Sequence, residues 1–239
     1  LEIFQPESKQ SLLFEATPDI VSQWESLSFP LKGIFITHAH MGHYSGLLHL
    51  GREALGSEDI PVYVMPKMYS FLENNAPWNQ LVKLKNIQLN ALQNNKYVEP
   101  LKNLEITPIL VPHRDEFSET VGYKIKGPNK TILFIPDIDK WNLWEENLIT
   151  LLKEVDIAFI DATFFSQEEV NYRLLSEIPH PLVIETIAYL RNENISLKNK
   201  VYFIHMNHTN PMLDENSKVS HFVLKEGFNI ARLGYQFEL

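Results

Sequence analysis

Cysteine is absent from the 239 residues, so neither a disulfide framework nor a thiolate zinc site can form, and any bound metal must be held by imidazole and carboxylate. Long apolar runs are absent too. None approaches the roughly 20 residues needed to span a bilayer, and the N-terminus lacks a basic segment followed by an apolar stretch. Positive charge is scarce. With 21 Lys and Arg against 30 Asp and Glu, a formal charge of −9, the chain is poorly suited to polyanions, whose affinity comes mainly from basic side chains neutralising phosphates. Neither nucleic acid nor a membrane is therefore an expected partner; a small-molecule substrate is. Internal repeats, low-complexity tracts and long Gly/Ser linkers are missing as well.

What is present is a chain 44% apolar, long enough for one layered α/β domain over residues 1–239 to bury a continuous core. The expected compartment is the cytoplasm. Leu1 stands directly before strand-like residues, which leaves room for a leader, tag or first strand ahead of it; a leader removed there would instead place the protein in a periplasm.

Strand-like and helix-like segments alternate. Ser11 to Ala16 reads as a strand, followed by a turn at Thr17-Pro18-Asp19 and a helix containing Trp24. Gly33 to Thr37 is an apolar β-branched run that enters a histidine cluster and then a helix over Tyr44 to Leu50, with Leu47, Leu48 and Leu50 on its apolar face. Pro61 to Met65 reads as a strand, and Lys67 to Ala76 as a helix closed by Pro77. Leu104 to Val111, Val121 to Lys126 and Thr131 to Pro136 read as strands, the last two joined by Gly127-Pro128-Asn129. Val155 to Ile160 and Lys200 to Ile204 are apolar and end at Asp161 and His205. A rigid sheet aims side chains from such strand-end loops at little entropic cost, so function is expected there.

The strongest chemical signal is Thr37-His38-Ala39-His40-Met41-Gly42-His43. Three imidazoles, the commonest neutral metal ligands, follow an apolar strand directly. In extended backbone His38 and His40 share one side, and His43 enters from the next helix. Val111-Pro112-His113, Ile135-Pro136-Asp137 and Ile204-His205 each put one further ligand type at a strand end. Any of these alone reads as a structural residue or a helix cap. Their order behind the cluster gives them weight. His49 and His221 read as structural, the Trp141 and Trp144 pair as packing or as an aromatic wall beside Asp137, and Glu145, Glu146 and Glu154 as a solvated helical face.

That order resembles the metallo-β-lactamase superfamily, in which an HxHxDH motif is followed by a His, a bridging Asp and a final His on separate strand-end loops. The resemblance implies an αββα sandwich: two mixed β-sheets packed face to face with helices outside. It also implies that His38, His40 and His113 hold a first metal, that Asp137 bridges, and that His43 and His205 serve a second. The motif's Asp is replaced by Gly42, which supplies no ligand, so the second site should be weaker. Glu15 stands where many members carry an Asp that braces the histidine loop. His208, three residues after His205, either supplies an extra ligand or acid or caps the following turn.

His205-Met206-Asn207-His208-Thr209-Asn210-Pro211, Asp161-Ala162-Thr163-Phe164 and Ala16-Thr17-Pro18-Asp19 are similar to the pyrroloquinoline-quinone biosynthesis protein B family. Phosphodiesterases and ribonuclease Z of the superfamily carry a further histidine between the bridging Asp and the final His. Here His180 occupies that interval and could protonate a leaving group, with Asp161 orienting it. The expected function is hydrolysis of a small ester or phosphodiester-type substrate by metal-activated water, with Asp137 orienting the nucleophile and Zn2+ as one or two ions. The same ligands would also suit Fe2+ or Mn2+ in an oxygenase related to the quinone-biosynthesis family. A third alternative is a degenerate scaffold that only binds metal.

Overall fold

The computed structural model describes residues 1–170 and 178–239. They form two compact units: Leu1–Leu101 with Asp115–Val121, and Lys102–Arg114 with Gly122–Leu239. Each carries a mixed sheet with helices, so the expected α/β class with two mixed sheets is what the chain adopts.

The first unit holds the five-stranded sheet β1-β2-β3-β4-β5. β1 (Glu2–Gln5) and β2 (Gln10–Phe14) pair antiparallel as a hairpin. β2 then runs parallel to β3 (Leu31–Phe35), β3 to β4 (Ile60–Val64), and β4 to β5 (Ile87–Ala91). Parallel strands are covered on both faces and need apolar side chains on both. β3 meets that need: Ile34, Phe35 and Ile36 are fully buried, and burial continues through Thr37 and His38 to Ala39. The crossover helices are α1 (Ile20–Glu25), α2 (Met41–Tyr44), α3 (Pro66–Asn74) and α4 (Trp78–Lys83). Leu13, Ile20, Ile34, Leu47, Val62, Met68 and Leu72 form the core between them.

The helix expected over Tyr44 to Leu50 is split, with α2 running straight into a 3-10 turn over Ser45–Leu50. Leu47 and Leu50 are buried as expected, but Leu48 is 38% exposed and not on the inner face. The tighter turn spaces inward positions three apart, which turns Leu48 to solvent.

The second unit carries the strand order β12-β11-β10-β9-β8-β7. These are β7 (Leu104–Leu110), β8 (Val121–Lys126), β9 (Thr131–Ile135), β10 (Ile157–Asp161), β11 (Val201–Ile204) and β12 (Asn229–Ile230); β6 (Val98–Leu101) falls within the first unit's residues. β8 and β9 form the expected antiparallel hairpin, with Lys126 opposite Thr131. From β9 through β10 and β11 to β12 the pairing is parallel, which points every strand's C-terminal end to the same edge. Helices α5 (Leu148–Glu154), α6 (Val183–Tyr189), α7 (Ile195–Lys198) and α8 (Lys218–Lys225) complete the unit. Its core joins Leu133, Ile135, Ala158, Ile160, Phe203 and Phe228 with Trp141 and Trp144. The two tryptophans are packing residues: both are buried, and their Nε1 groups donate to Thr186 Oγ1 and to the Leu110 carbonyl, each at 2.8 Å.

Among the described residues, no helix is long and apolar enough to cross a membrane.

One close approach fixes the histidine-bearing turn in the first unit. Gly46 N–H donates to the Ala16 carbonyl at 2.9 Å, and Ala16 N–H donates to the His43 carbonyl at 2.8 Å. A Cβ on Gly46 would overlap the Thr17 carbonyl oxygen, whereas one on Gly42 meets nothing within 4 Å. Gly46→Ala is therefore expected to cost about 1–3 kcal/mol, as overpacking does, and Gly42→Ala to leave stability within about 0.5 kcal/mol. Urea denaturation of both variants checks this; equal midpoints would refute the close approach.

Candidate metal centre

In the first unit the sequence places three imidazoles where β3 gives way to α2, and the ring contacts show how each is turned. His38 Nδ1 lies 2.9 Å from Thr37 Oγ1, so the ring's other edge, Nε2, faces onward. His40 is turned the opposite way: its Nε2 lies 3.0 Å from Glu116 Oε2. The two remaining nitrogens, His38 Nε2 and His40 Nδ1, converge to 2.9 Å, a separation from which both can reach one ion at the usual zinc–nitrogen distance of about 2.0–2.1 Å. His43 lies beside them, its ring centroid 4.2 Å from that of His38. His38 and His43 are 1% and 4% exposed.

The segment Asp115–Val121 holds this loop from outside. Besides Glu116 on His40, Ser118 Oγ accepts the Ala39 N–H at 2.8 Å, and Val121 N–H donates to the Thr37 carbonyl. Glu15 is buried with a left-handed backbone (φ 74°), which an L-residue adopts only when its surroundings enforce it. Its Oε1 stands 3.5 Å from His43 Nδ1.

In the second unit the strand ends behave alike. After β7, His113 Nδ1 lies 3.2 Å from Asp139 Oδ1, and Asp139 N–H donates to the Pro112 carbonyl at 2.7 Å. A carboxylate behind an imidazole fixes its tautomer and raises its basicity as a ligand, and here it selects Nε2. After β9, Asp137 is 3% exposed. After β10, Asp161 is fully buried; it accepts Thr163 N–H and O–H on Oδ1 at 2.8 and 2.7 Å, and Ile138 N–H and His180 Nδ1 on Oδ2 at 3.2 and 2.8 Å. After β11, His205 adopts a left-handed backbone, φ 58°.

His180 Nδ1 is also 3.1 Å from Asp137 Oδ1, so ligand atoms of Asp137, Asp161 and His180 lie within 4.8 Å of one another. Burial presses the His180 pKa down, but the carboxylates of Asp161 and Asp137 outweigh it and raise the value to about 10. The donors around Asp161 fill its accepting positions, which makes it an anchor for its neighbours.

The Beta-lactamase superfamily domain, as a family model, matches residues 10–206. The chain belongs to this superfamily. Coenzyme PQQ synthesis protein B of Nitrosococcus oceani is 24% identical over 250 residues, spanning 86% of this chain and 76% of that protein. Among solved structures, Zn(2+)-bound PqqB from Methylobacterium extorquens matches with a TM-score of 0.82 at 21% identity, covering 100% of this chain and 86% of that one. A diphosphatase from the PhnP family matches with a TM-score of 0.64 at 21% identity, over 96% of this chain and 81% of that chain. Identities this low carry the metallo-β-lactamase fold and nothing finer.

Of the residues singled out in the sequence, His38, His40 and His43 lie in the first unit, and His113, Asp137, Asp161, His180 and His205 in the second. His208 is exposed and joins none of the ligand-atom clusters among the described residues. Sequence reasoning overlooked Glu116, Asp139 and Thr163. The polar residue of Pro136-Asp137-Ile138-Asp139 two places after the ligand was the available signal for Asp139; Glu116 offered none. The distinctive Asn207 to Asn210 stretch turns out to staple two strand ends together. Asn207 N–H donates to the Thr163 carbonyl at 2.9 Å, and the buried Asn210 Nδ2 donates to the Ala162 carbonyl at 2.7 Å while its Oδ1 accepts Met212 N–H. Asn210→Ala strands these buried groups and is expected to cost about 1–3 kcal/mol; a thermal midpoint equal to that of the unaltered protein would contradict the staple.

Proposed function

We propose that the chain is a metal-dependent hydrolase acting on a small ester or phosphodiester-type substrate. The observation that carries the reading is the way the imidazoles are turned: one nitrogen of His38, His40 and His113 is engaged by Thr37, Glu116 and Asp139, which selects the other as donor. The donor set fits a divalent ion such as zinc, since it consists of imidazole and carboxylate with no thiolate in the sequence. In this reading, following the superfamily pattern, His38, His40, His113 and Asp137 are the ligands of one ion, and His43, Asp137 and His205 those of a second. When bound, such an ion supplies Lewis-acid polarisation and activation of water.

The chain's own residues do the rest. Asp137 orients the incoming water by accepting a hydrogen bond. His180, gripped through Nδ1 by Asp161, holds a proton for the leaving group. The net charge of −9 favours a small molecule over nucleic acid as substrate.

A second reading, a metal-dependent oxygenase, draws support from the likeness to proteins named for coenzyme PQQ synthesis, and from Gly42, which removes an acidic ligand. Imidazole and carboxylate donors also suit Fe2+ or Mn2+.

Elemental analysis of protein purified without added metal separates the two. Zinc is expected; stoichiometric iron or manganese would move the oxidative reading to first place, and absence of all three would leave a scaffold. His38→Ala and His113→Ala are expected to abolish metal uptake, whereas His180→Ala keeps the metal and lowers turnover by about 10²–10⁴-fold. If all three variants retained full metal and turnover, the proposed site would be wrong. Gly42→Asp is expected to strengthen binding of a second equivalent in a zinc titration, and an unchanged isotherm would show that another residue fills that role.

A further inference from the structure

We propose that the open groove between α3 and the Asp115–Val121 segment is a substrate subsite for a flat apolar group that carries a negative charge, with Phe117 as its aromatic wall and Lys67 as its counter-charge. The groove belongs wholly to the first unit; that its occupant is part of the substrate rests on the hydrolase reading above. Its volume is about 540 Å³, and it is lined by Lys67, Ser70, Phe71, Asn75, Glu116 and Phe117. Small-molecule sites span about 300–1,000 Å³.

Glu116 fixes where the groove stands relative to the histidines. It lines the groove and sets its Oε2 3.0 Å from His40 Nε2, so one carboxylate and one imidazole separate the groove from the converging nitrogens of His38 and His40. The next residue, Phe117, is 62% exposed, yet the segment around it is held. Ser118 Oγ accepts the Ala39 N–H at 2.8 Å, and Glu119 Oε2 accepts the Lys67 N–H at 2.9 Å. A large ring kept in water by a fixed backbone binds at little entropic cost. It leans on Phe71 with centroids 5.7 Å apart, and Tyr44 and Trp78 back Phe71 at 5.5 and 5.8 Å. A further ring laid on this pair meets faces and edges at the separations that aromatic pairs favour.

Lys67 supplies the charge. Its ammonium group has no hydrogen-bond or ion-pair partner among the described residues, while the acids at the groove, Glu116 and Glu119, are engaged by His40 and by the Lys67 N–H. Ser70 and Asn75 add only neutral groups. The chain as a whole carries −9 and repels anions, so a small anion is retained here only where the ammonium group and the rings act on it together. An anion without a ring, or a ring without a charge, is held weakly. Aryl carboxylates and aryl phosphonates share this chemistry.

Amide NMR of the full 15N-labelled chain, purified without added metal and titrated with benzoate, phenylphosphonate, phenol and inorganic phosphate, tests this. Benzoate or phenylphosphonate, the tighter of the two naming the anion, is expected to shift the Lys67 and Phe117 amides and to bind about 10-fold more tightly than phenol or phosphate. Phe117→Ala is expected to weaken that binding about 10-fold, and Lys67→Met to reduce it to the level of phenol, with Lys67→Arg restoring it. Both side chains are exposed, so the variants keep the fold. Phenol binding as tightly as the aryl anions, or either variant leaving their isotherms unchanged, overturns the proposal. With zinc-loaded protein, Lys67→Met is expected to raise KM for 4-acetoxybenzoate at unchanged kcat and to leave phenyl acetate unaffected. Turnover whose KM neither Lys67→Met nor Phe117→Ala moves would refute the subsite and leave hydrolysis standing. Aryl anions bound at Lys67 and Phe117 without turnover of either ester would sink the hydrolase reading and leave the groove standing as an aryl-anion site.

Discussion

The arrangement of the second unit turns on one buried carboxylate. A charged group removed from water costs several kcal/mol unless hydrogen bonds replace its hydration, and Asp161 is fully buried. Its surroundings are therefore obliged to provide donors, and those donors come from separate places: Ile138 beside Asp137 at the end of β9, Thr163 just beyond β10, and His180 before α6. Satisfying one charge ties three segments together. Removing it would leave each of them with a lost partner, so the carboxylate organises geometry more than it adds net stability.

The first unit solves the same problem with backbone. The histidine turn is clamped by the exchange of hydrogen bonds between Ala16, His43 and Gly46, and Gly46 is there because a side chain would meet the Thr17 carbonyl. Glu15 adds a carboxylate beside His43 at the cost of a left-handed backbone. In both units the imidazoles are second in a chain of constraint: a hydroxyl or carboxylate stands against one nitrogen of His38, His40, His113 and His180. Pre-set rings lose little freedom on binding a ligand, which is why such outer partners count for affinity.

The sequence made the parallel strands and their strand-end residues legible because β9 and β10, and β3 from Gly33 on, are buried on both faces and read as uninterrupted apolar runs. β5 and β6 escaped notice: Gln88 and Asn90 in β5, and Glu99 and Pro100 in β6, break the apolar pattern in strands near or at a sheet edge, where one side of the strand meets solvent. The candidate ligands could be picked out by type and order. Their orientation could not, since it depends on Glu116, 76 residues from its partner, and on Asp139, 26 residues from its own; spacing carries no signal for contacts made through the fold. Leu48 shows the converse limit. It fits an α-helical stripe and is turned outward by a 3-10 turn that periodicity does not foresee.

Gly42 bears on the chemistry because nothing in the fold demands it. Its backbone is helical within α2, and an added Cβ would meet open space, so the missing acid of the superfamily motif is a matter of charge and ligand count, not of room. With a glycine there, the proposed metal centre has one anionic ligand fewer than the superfamily motif supplies. An imidazole ligates only through an unprotonated nitrogen, and most of the proposed ligands are imidazoles. The fewer the anionic ligands, the more the ion's retention rests on which ring nitrogen carries the proton, and the more the polar groups set behind the rings decide.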